Sequence, residues 1–87
     1  MNGPAFKSKF QLMRVIKEFS DPRMKISVFS FNEKWIVKSE AGLCEQTYKF
    51  PQVEWEFERV VSRCEDPEFR NQIASRFESM HREMLAD

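Results

Sequence analysis

The chain has few of the residues that enzymes most often use for chemistry. One histidine and two cysteines occur among its 87 residues. A general base at neutral pH would have to be His81 or a carboxylate in an unusual environment, and no partner for either is apparent. Cys44 and Cys64 lie twenty positions apart and cannot complete a tetrahedral metal site with a single histidine. The sequence therefore predicts a protein that is not an enzyme and that uses no metal or cofactor.

Glycine and long apolar runs are equally scarce. With only Gly3 and Gly42 in the chain, there is no loop that could cradle a phosphate group. No apolar run approaches the roughly 20 residues that span a bilayer, and the N-terminal residues do not form the apolar segment of a secretory signal. The two cysteines are too few for a disulfide framework. We therefore expect a cytoplasmic protein with reduced thiols and no membrane contact.

Aromatic residues are plentiful. Nine phenylalanines, two tryptophans and one tyrosine accompany a hydrophobic content of 41%. This composition disfavours disorder, and a chain of this length forms one hydrophobic core. We expect residues 1–87 to form a single domain.

Positive and negative charges are equal in number but sorted along the chain. Residues 1–38 hold eight lysines or arginines against three acids, and residues 39–87 hold six against eleven. Charge separation of this kind affects partner choice and association. It is compatible with head-to-tail self-association.

The first segment has the pattern of a basic amphipathic helix. Pro4 suits a first helical turn, and Phe6, Phe10 and Met13 follow at roughly helical spacing. The helix should end near Ser20, because the residue before Pro22 is biased away from helical dihedrals.

Residues 24–50 change to the alternating pattern of β-strands. A two-residue loop at Asn32-Glu33 would place Phe29 opposite Ile36 and Val28 opposite Val37. A four-residue loop at 40–43 would then place Trp35 opposite Tyr48, Val37 opposite Gln46, and Lys38 opposite Glu45. One face of the resulting three strands is apolar and should be core: Met24, Ile26, Val28, Trp35, Val37, Cys44, Tyr48 and Phe50.

Two helices are predicted after the strands. The first follows Pro51, with a stripe of Val53, Phe57, Val60, Val61 and Cys64. Asp66 as N-cap and Pro67 at the first helical position begin the second, whose stripe is Phe69, Ile73, Phe77, Met80 and Met84. The predicted fold is α+β, a three-stranded antiparallel meander with helices in the order α-β-β-β-α-α.

The other face of the predicted sheet is the candidate site. It mixes apolar residues with lysines, and its proposed contact residues are Phe29, Phe31, Ile36, Lys25, Lys34 and Lys38. Burial of this face under the last helix or in a homodimer is one interpretation. Binding of another protein, as an adaptor or inhibitor would, is the second, and single-stranded nucleic acid stacked on the phenylalanines is the third. We expect a small non-enzymatic protein-binding or self-associating module, with nucleic-acid binding as the alternative.

Trp55 fits the helical stripe poorly and is either a core residue or an interface anchor.

Overall fold

The fold is a four-stranded antiparallel sheet followed by two helices. A computed structural model describes residues 14–86 of the chain. The elements are β1 (Arg14–Asp21), β2 (Met24–Phe31), β3 (Lys34–Ala41), β4 (Cys44–Pro51), α1 (Phe57–Glu65) and α2 (Pro67–Leu85). The strands lie in the order β1-β2-β3-β4. The predicted three-stranded meander with the order α-β-β-β-α-α is therefore wrong, because the observed order is β-β-β-β-α-α.

The difference lies in β1, which takes the place of the second half of the predicted first helix. A β-bulge interrupts its pairing with β2, so Val15 pairs with Phe29 while Lys17 pairs with Val28. The extra residue shifts the side-chain alternation, and Val15 and Phe19 consequently lie on opposite faces of the sheet. The rest of the predicted helix, up to Met13, lies outside the described residues.

The hairpin between β2 and β3 has the predicted register. Phe29 pairs with Ile36 and Val28 pairs with Val37, so both predicted pairs are confirmed. Asn32 and Glu33 form the turn with φ angles of 53° and 64°. Positive φ at both central positions is the pattern of a type I′ turn, whose twist matches that of the flanking strands.

The hairpin between β3 and β4 has a shorter loop than predicted. Gly42, with φ of 61°, and Leu43 form a two-residue turn. As a result Trp35 pairs with Phe50, and the predicted pairing of Trp35 with Tyr48 is wrong. The predictions for Val37 and Lys38 are wrong by the same two residues, since these pair with Tyr48 and Thr47.

Both helices pack on the face of the sheet that was predicted to be the core. Ile26, Val28 and Val37 of this face are buried together with residues of both helices, and Trp35, Cys44, Tyr48 and Phe50 pack against them. Cross-strand pairing of apolar residues and their cover by helices remove this face from water. The core-face prediction is confirmed.

The helix boundaries differ from prediction at one end. Residues 52–54 form a turn and α1 begins only at Phe57, so Val53, which is 88% exposed, is not part of its stripe. The prediction for α2 is confirmed at its start. The Asp66 side chain accepts a hydrogen bond from the Glu68 backbone N–H, and Pro67 is the first helical residue.

Among residues 14–86, neither helix has the length and apolar character needed to cross a membrane.

Candidate functional site

The candidate site is the sheet face that points away from α1 and α2, here called the outer face. Cross-strand partners share a face, so the register identifies its members. Four rows run across the strands: Val15, Phe29, Ile36 and Lys49; Glu18, Ser27, Lys38 and Thr47; Ser20, Lys25, Glu40 and Glu45; and Phe31, Lys34 and Pro51. All six predicted contact residues therefore lie on this one face. Neither α1 nor α2 covers it.

The apolar members of the outer face differ in accessibility. Phe29 and Phe31 are partly exposed, whereas Ile36 is only 8% exposed. Ile36 lies on a central strand between Phe29 and Lys49, its direct cross-strand neighbours. Val15, which sequence reasoning did not place on this face, is 47% exposed beside Phe29. The accessible apolar surface is thus formed by Val15, Phe29 and Phe31, with Ile36 at its floor.

The lysines of the outer face are largely matched by glutamates. Lys25 Nζ lies 3.5 Å from a carboxylate oxygen of Glu18, and Lys38 Nζ lies 3.4 Å from Glu40 and 3.9 Å from Glu45. Lys38 Nζ also lies 5.8 Å from the centre of the Phe29 ring. Exposed pairs of this kind contribute little to stability, but they set the local charge. Four lysines face three glutamates, so this surface is close to neutral.

Sequence reasoning missed two of those glutamates. The sequence pattern predicts Glu18 in a helix and Glu40 in a loop, so the predicted face carries Glu45 as its only acid. The register of β1 and the shorter β3–β4 turn place both residues among the lysines. The alternating pattern of residues 34–41 could have indicated Glu40, because it has the same parity as Lys34, Ile36 and Lys38.

Trp55 lies at a corner between the sheet and α1, where aromatic and arginine side chains meet. Its ring centroid is 4.4 Å from that of Phe50, and the Arg59 guanidinium lies 3.8 Å from the ring centre. The Trp55 carbonyl accepts a 2.8 Å hydrogen bond from Nε1 of Trp35. These contacts make Trp55 a residue at the edge of the core, held between a ring and a cation.

His81 and Cys64 are both held by contacts within the fold. His81 Nε2 lies 3.0 Å from the Ala41 carbonyl oxygen, and its ring stacks on Phe77. Cys64 is fully buried, and this burial raises the pKa of its thiol to about 11. A thiol in such a setting is a poor nucleophile at neutral pH. In the part of the chain that the structure describes, no cluster of His, Cys, Asp and Glu could hold a metal ion.

Asp21, at the turn between β1 and β2, has a carboxyl group whose pKa is lowered by its neighbours. Arg23 donates to it from its side chain at 3.0 Å and from its backbone N–H at 2.9 Å. The Arg70 guanidinium of α2 lies 3.5 Å away. The hydrogen bond from the Arg23 side chain is the main reason that the pKa of Asp21 falls to about 2, and burial opposes it. Arg23 also donates to Asn71, so the cluster ties the turn to α2.

Comparison with models of protein families, with curated proteins and with solved structures found no match to this chain.

Proposed function

We propose that this protein is a small non-enzymatic binding module that docks another protein on the outer face of its sheet. The observation that supports this proposal is the position of Phe29 and Phe31. They are partly exposed on the face opposite both helices, next to the exposed Val15. Contiguous apolar surface in a setting of charged side chains is typical of protein contact sites.

The charge of the outer face favours a protein partner over nucleic acid. Binding of a phosphate backbone needs several lysines that are available to neutralise it. Lys25 and Lys38 already contact glutamates, and those glutamates would repel phosphates. Within residues 14–86, Lys34 and Lys49 form no ion pair, and they flank Ile36 from the same strand and from the neighbouring one. The partner that this arrangement fits presents an apolar side chain flanked by carboxylates.

We place this interaction in the cytoplasm. The two thiols are free in the structure, and a reducing compartment keeps such thiols unpaired.

A site-specific cross-link tests the proposal. Phe31 is replaced with photoreactive p-benzoylphenylalanine in cells of the source organism, and the products of illumination are identified by mass spectrometry. Gln72, which is exposed on α2, carries the same probe in a matched control. We expect a defined protein adduct from position 31 that is missing from position 72. Adding Phe29→Ser to the position-31 probe should abolish that adduct while the protein keeps its circular dichroism spectrum.

Other outcomes would contradict the proposal in distinct ways. A nuclease-sensitive adduct at position 31 would indicate nucleic-acid binding, and adducts of the chain with itself alone would indicate self-association through this face. Equal adducts from both positions would show that the outer face has no special role. Unfolding of the Phe29→Ser, Phe31→Ser double variant would show that these rings belong to the core rather than to a contact surface.

A further inference from the structure

The edge strand β4 has backbone groups that no other described strand uses. Within residues 14–86, β4 pairs only with β3, and this pairing is regular over all eight residues. The opposite edge strand, β1, carries a bulge, a device that discourages pairing with other chains. Pro51 is the only proline of β4, and it lies at the strand's end. The edge of β4 is therefore the one suited to accept a further strand.

The register defines which residues point to that edge. The two-residue turn closes on the pair Ala41–Cys44, whose backbone groups bond to each other. Hydrogen-bonded residues alternate along an antiparallel strand, so Gln46 and Tyr48 also bond to β3. The Gln52 N–H, with the same parity, donates to the Glu33 carbonyl at 3.0 Å. The N–H and C=O groups of Glu45, Thr47 and Lys49 consequently point outward, where another strand can bond to them.

The sequence of β4 is complementary to itself in one antiparallel register. With Thr47 opposite Thr47 of a second copy, a twofold axis places Glu45 opposite Lys49 twice. These residues all lie on the outer face, and all three have outward backbone groups, so one register satisfies both the side chains and the backbone. Moving the register by two residues places Glu45 opposite Pro51 or opposite Thr47. Both of those registers lose the charge pairs.

We infer that the second copy of this chain is the partner of this edge, and that two copies join through antiparallel β4 strands into a continuous eight-stranded sheet. Gln46 and Tyr48 would face each other on the helix side, where hydrogen bonds to Ile73 and Arg76 of α2 already hold them. These contacts keep β4 in place before it pairs, which reduces the ordering needed on association. The two copies would present their outer faces on the same side of the joined sheet, so the dimer enlarges the proposed binding surface. Dimerisation itself does not depend on that surface.

Reversing the charges of Glu45 and Lys49 on β4 tests the dimer. In the Glu45→Lys variant a lysine would face Lys49 of the second copy, and in the Lys49→Glu variant a glutamate would face Glu45. Each should weaken dimerisation about tenfold, because two symmetric pairs change from attraction to repulsion. The Glu45→Lys, Lys49→Glu double variant restores opposite charges and should return the dissociation constant to near that of the wild type. Sedimentation equilibrium measures all four proteins.

Controls separate this contact from general effects of charge. Glu54→Lys makes the same change at an exposed residue outside β4 and should leave dimerisation unaltered. Amide hydrogen exchange gives a second measurement: the amides of Glu45, Thr47 and Lys49 should become protected only at concentrations that favour the dimer. A monomer at millimolar concentration, or a dimer that ignores both charge variants, would overturn the proposal. A dimer that is lost in the Phe29→Ser, Phe31→Ser variant but not in the β4 variants would do the same.

Discussion

The guanidinium of Arg70 lies 3.5 Å from the carboxylate of Asp21, which joins the first turn of the sheet to the start of α2 across 49 residues of sequence. Arg70 also donates to two backbone carbonyls, that of Cys64 at 2.7 Å and that of Ser20 at 3.3 Å. Its side chain therefore links both helices to β1. Asp21 is the acidic member of this contact, and its carboxylate is 5% exposed.

This arrangement predicts that stability falls in acid through Asp21. The folded-state pKa of about 2 is below the ordinary 3.8, so the carboxylate contributes stability above about pH 4 and loses it as the pH falls toward 2. We expect Asp21→Asn to lower the free energy of unfolding by about 1 to 2 kcal/mol at pH 6 and by much less at pH 2. Urea unfolding at both pH values measures this. Glu54→Gln, at an exposed position, is the control, and an Asp21→Asn effect that is equal at both pH values would contradict the argument.

The sequence predicts the core face of the sheet correctly but not the register of β3 with β4. The β3–β4 loop was predicted two residues too long, yet the core face was correct. A register error of two keeps every side chain on its own face, whereas an error of one would have exchanged the faces. The β2–β3 register was correct because Asn32-Glu33 separates two well-alternating strands, although Glu at this turn is less usual than Gly.

The sequence does not predict β1, because a bulge breaks the alternation of its side chains. In a regular strand Val15 and Phe19 share a face, but the bulge before Lys17 places them on opposite faces. The alternating pattern is therefore broken, and apolar residues at 15, 16 and 19 resemble a helical stripe. The error also affects the candidate site, because a helical Glu18 would lie far from Lys25, with which it pairs. The charge balance of the outer face thus depended on a long-range pairing that local patterns do not contain.

The β2–β3 turn predicts a stabilising substitution. Glu33 has a φ of 64°, in the left-handed region where a Cβ atom is unfavourable. Glu33→Gly removes this strain, and we expect thermal and urea unfolding to show a gain of about 0.5 to 1 kcal/mol. Glu33→Ala is the matched control, because it removes the same charge but keeps the Cβ atom. A gain of equal size in the alanine variant would indicate charge rather than backbone strain.

The two thiols should differ strongly in reactivity. Cys64 is fully buried, and its pKa is raised to about 11 by burial, while Cys44 is partly exposed with its Sγ 3.4 Å from the Met84 sulfur. A thiolate that is accessible to solvent attacks the disulfide bond of a thiol reagent, whereas a buried thiol does not react. We expect Ellman's reagent to modify one thiol rapidly and the second only at the rate of unfolding. Cys44→Ser should remove the rapid phase alone. Two rapid phases in the wild type would show that the core around α1 opens readily.

The Trp35–Trp55 hydrogen bond predicts an asymmetry between the two tryptophans. Trp35 donates through its indole Nε1, whereas Trp55 accepts through its backbone carbonyl. Trp35→Phe therefore removes the bond and leaves a partly buried carbonyl without it, which should cost about 1 to 2 kcal/mol in the free energy of unfolding. Trp55→Phe keeps the carbonyl and the bond, and it alters the ring's contacts with Phe50, Arg59 and Arg63. The indole proton resonance of Trp35 should remain shifted and protected from exchange in Trp55→Phe. Its rapid exchange in that variant would mean that the Trp55 ring, rather than the backbone bond, holds residues 52–56 against the sheet.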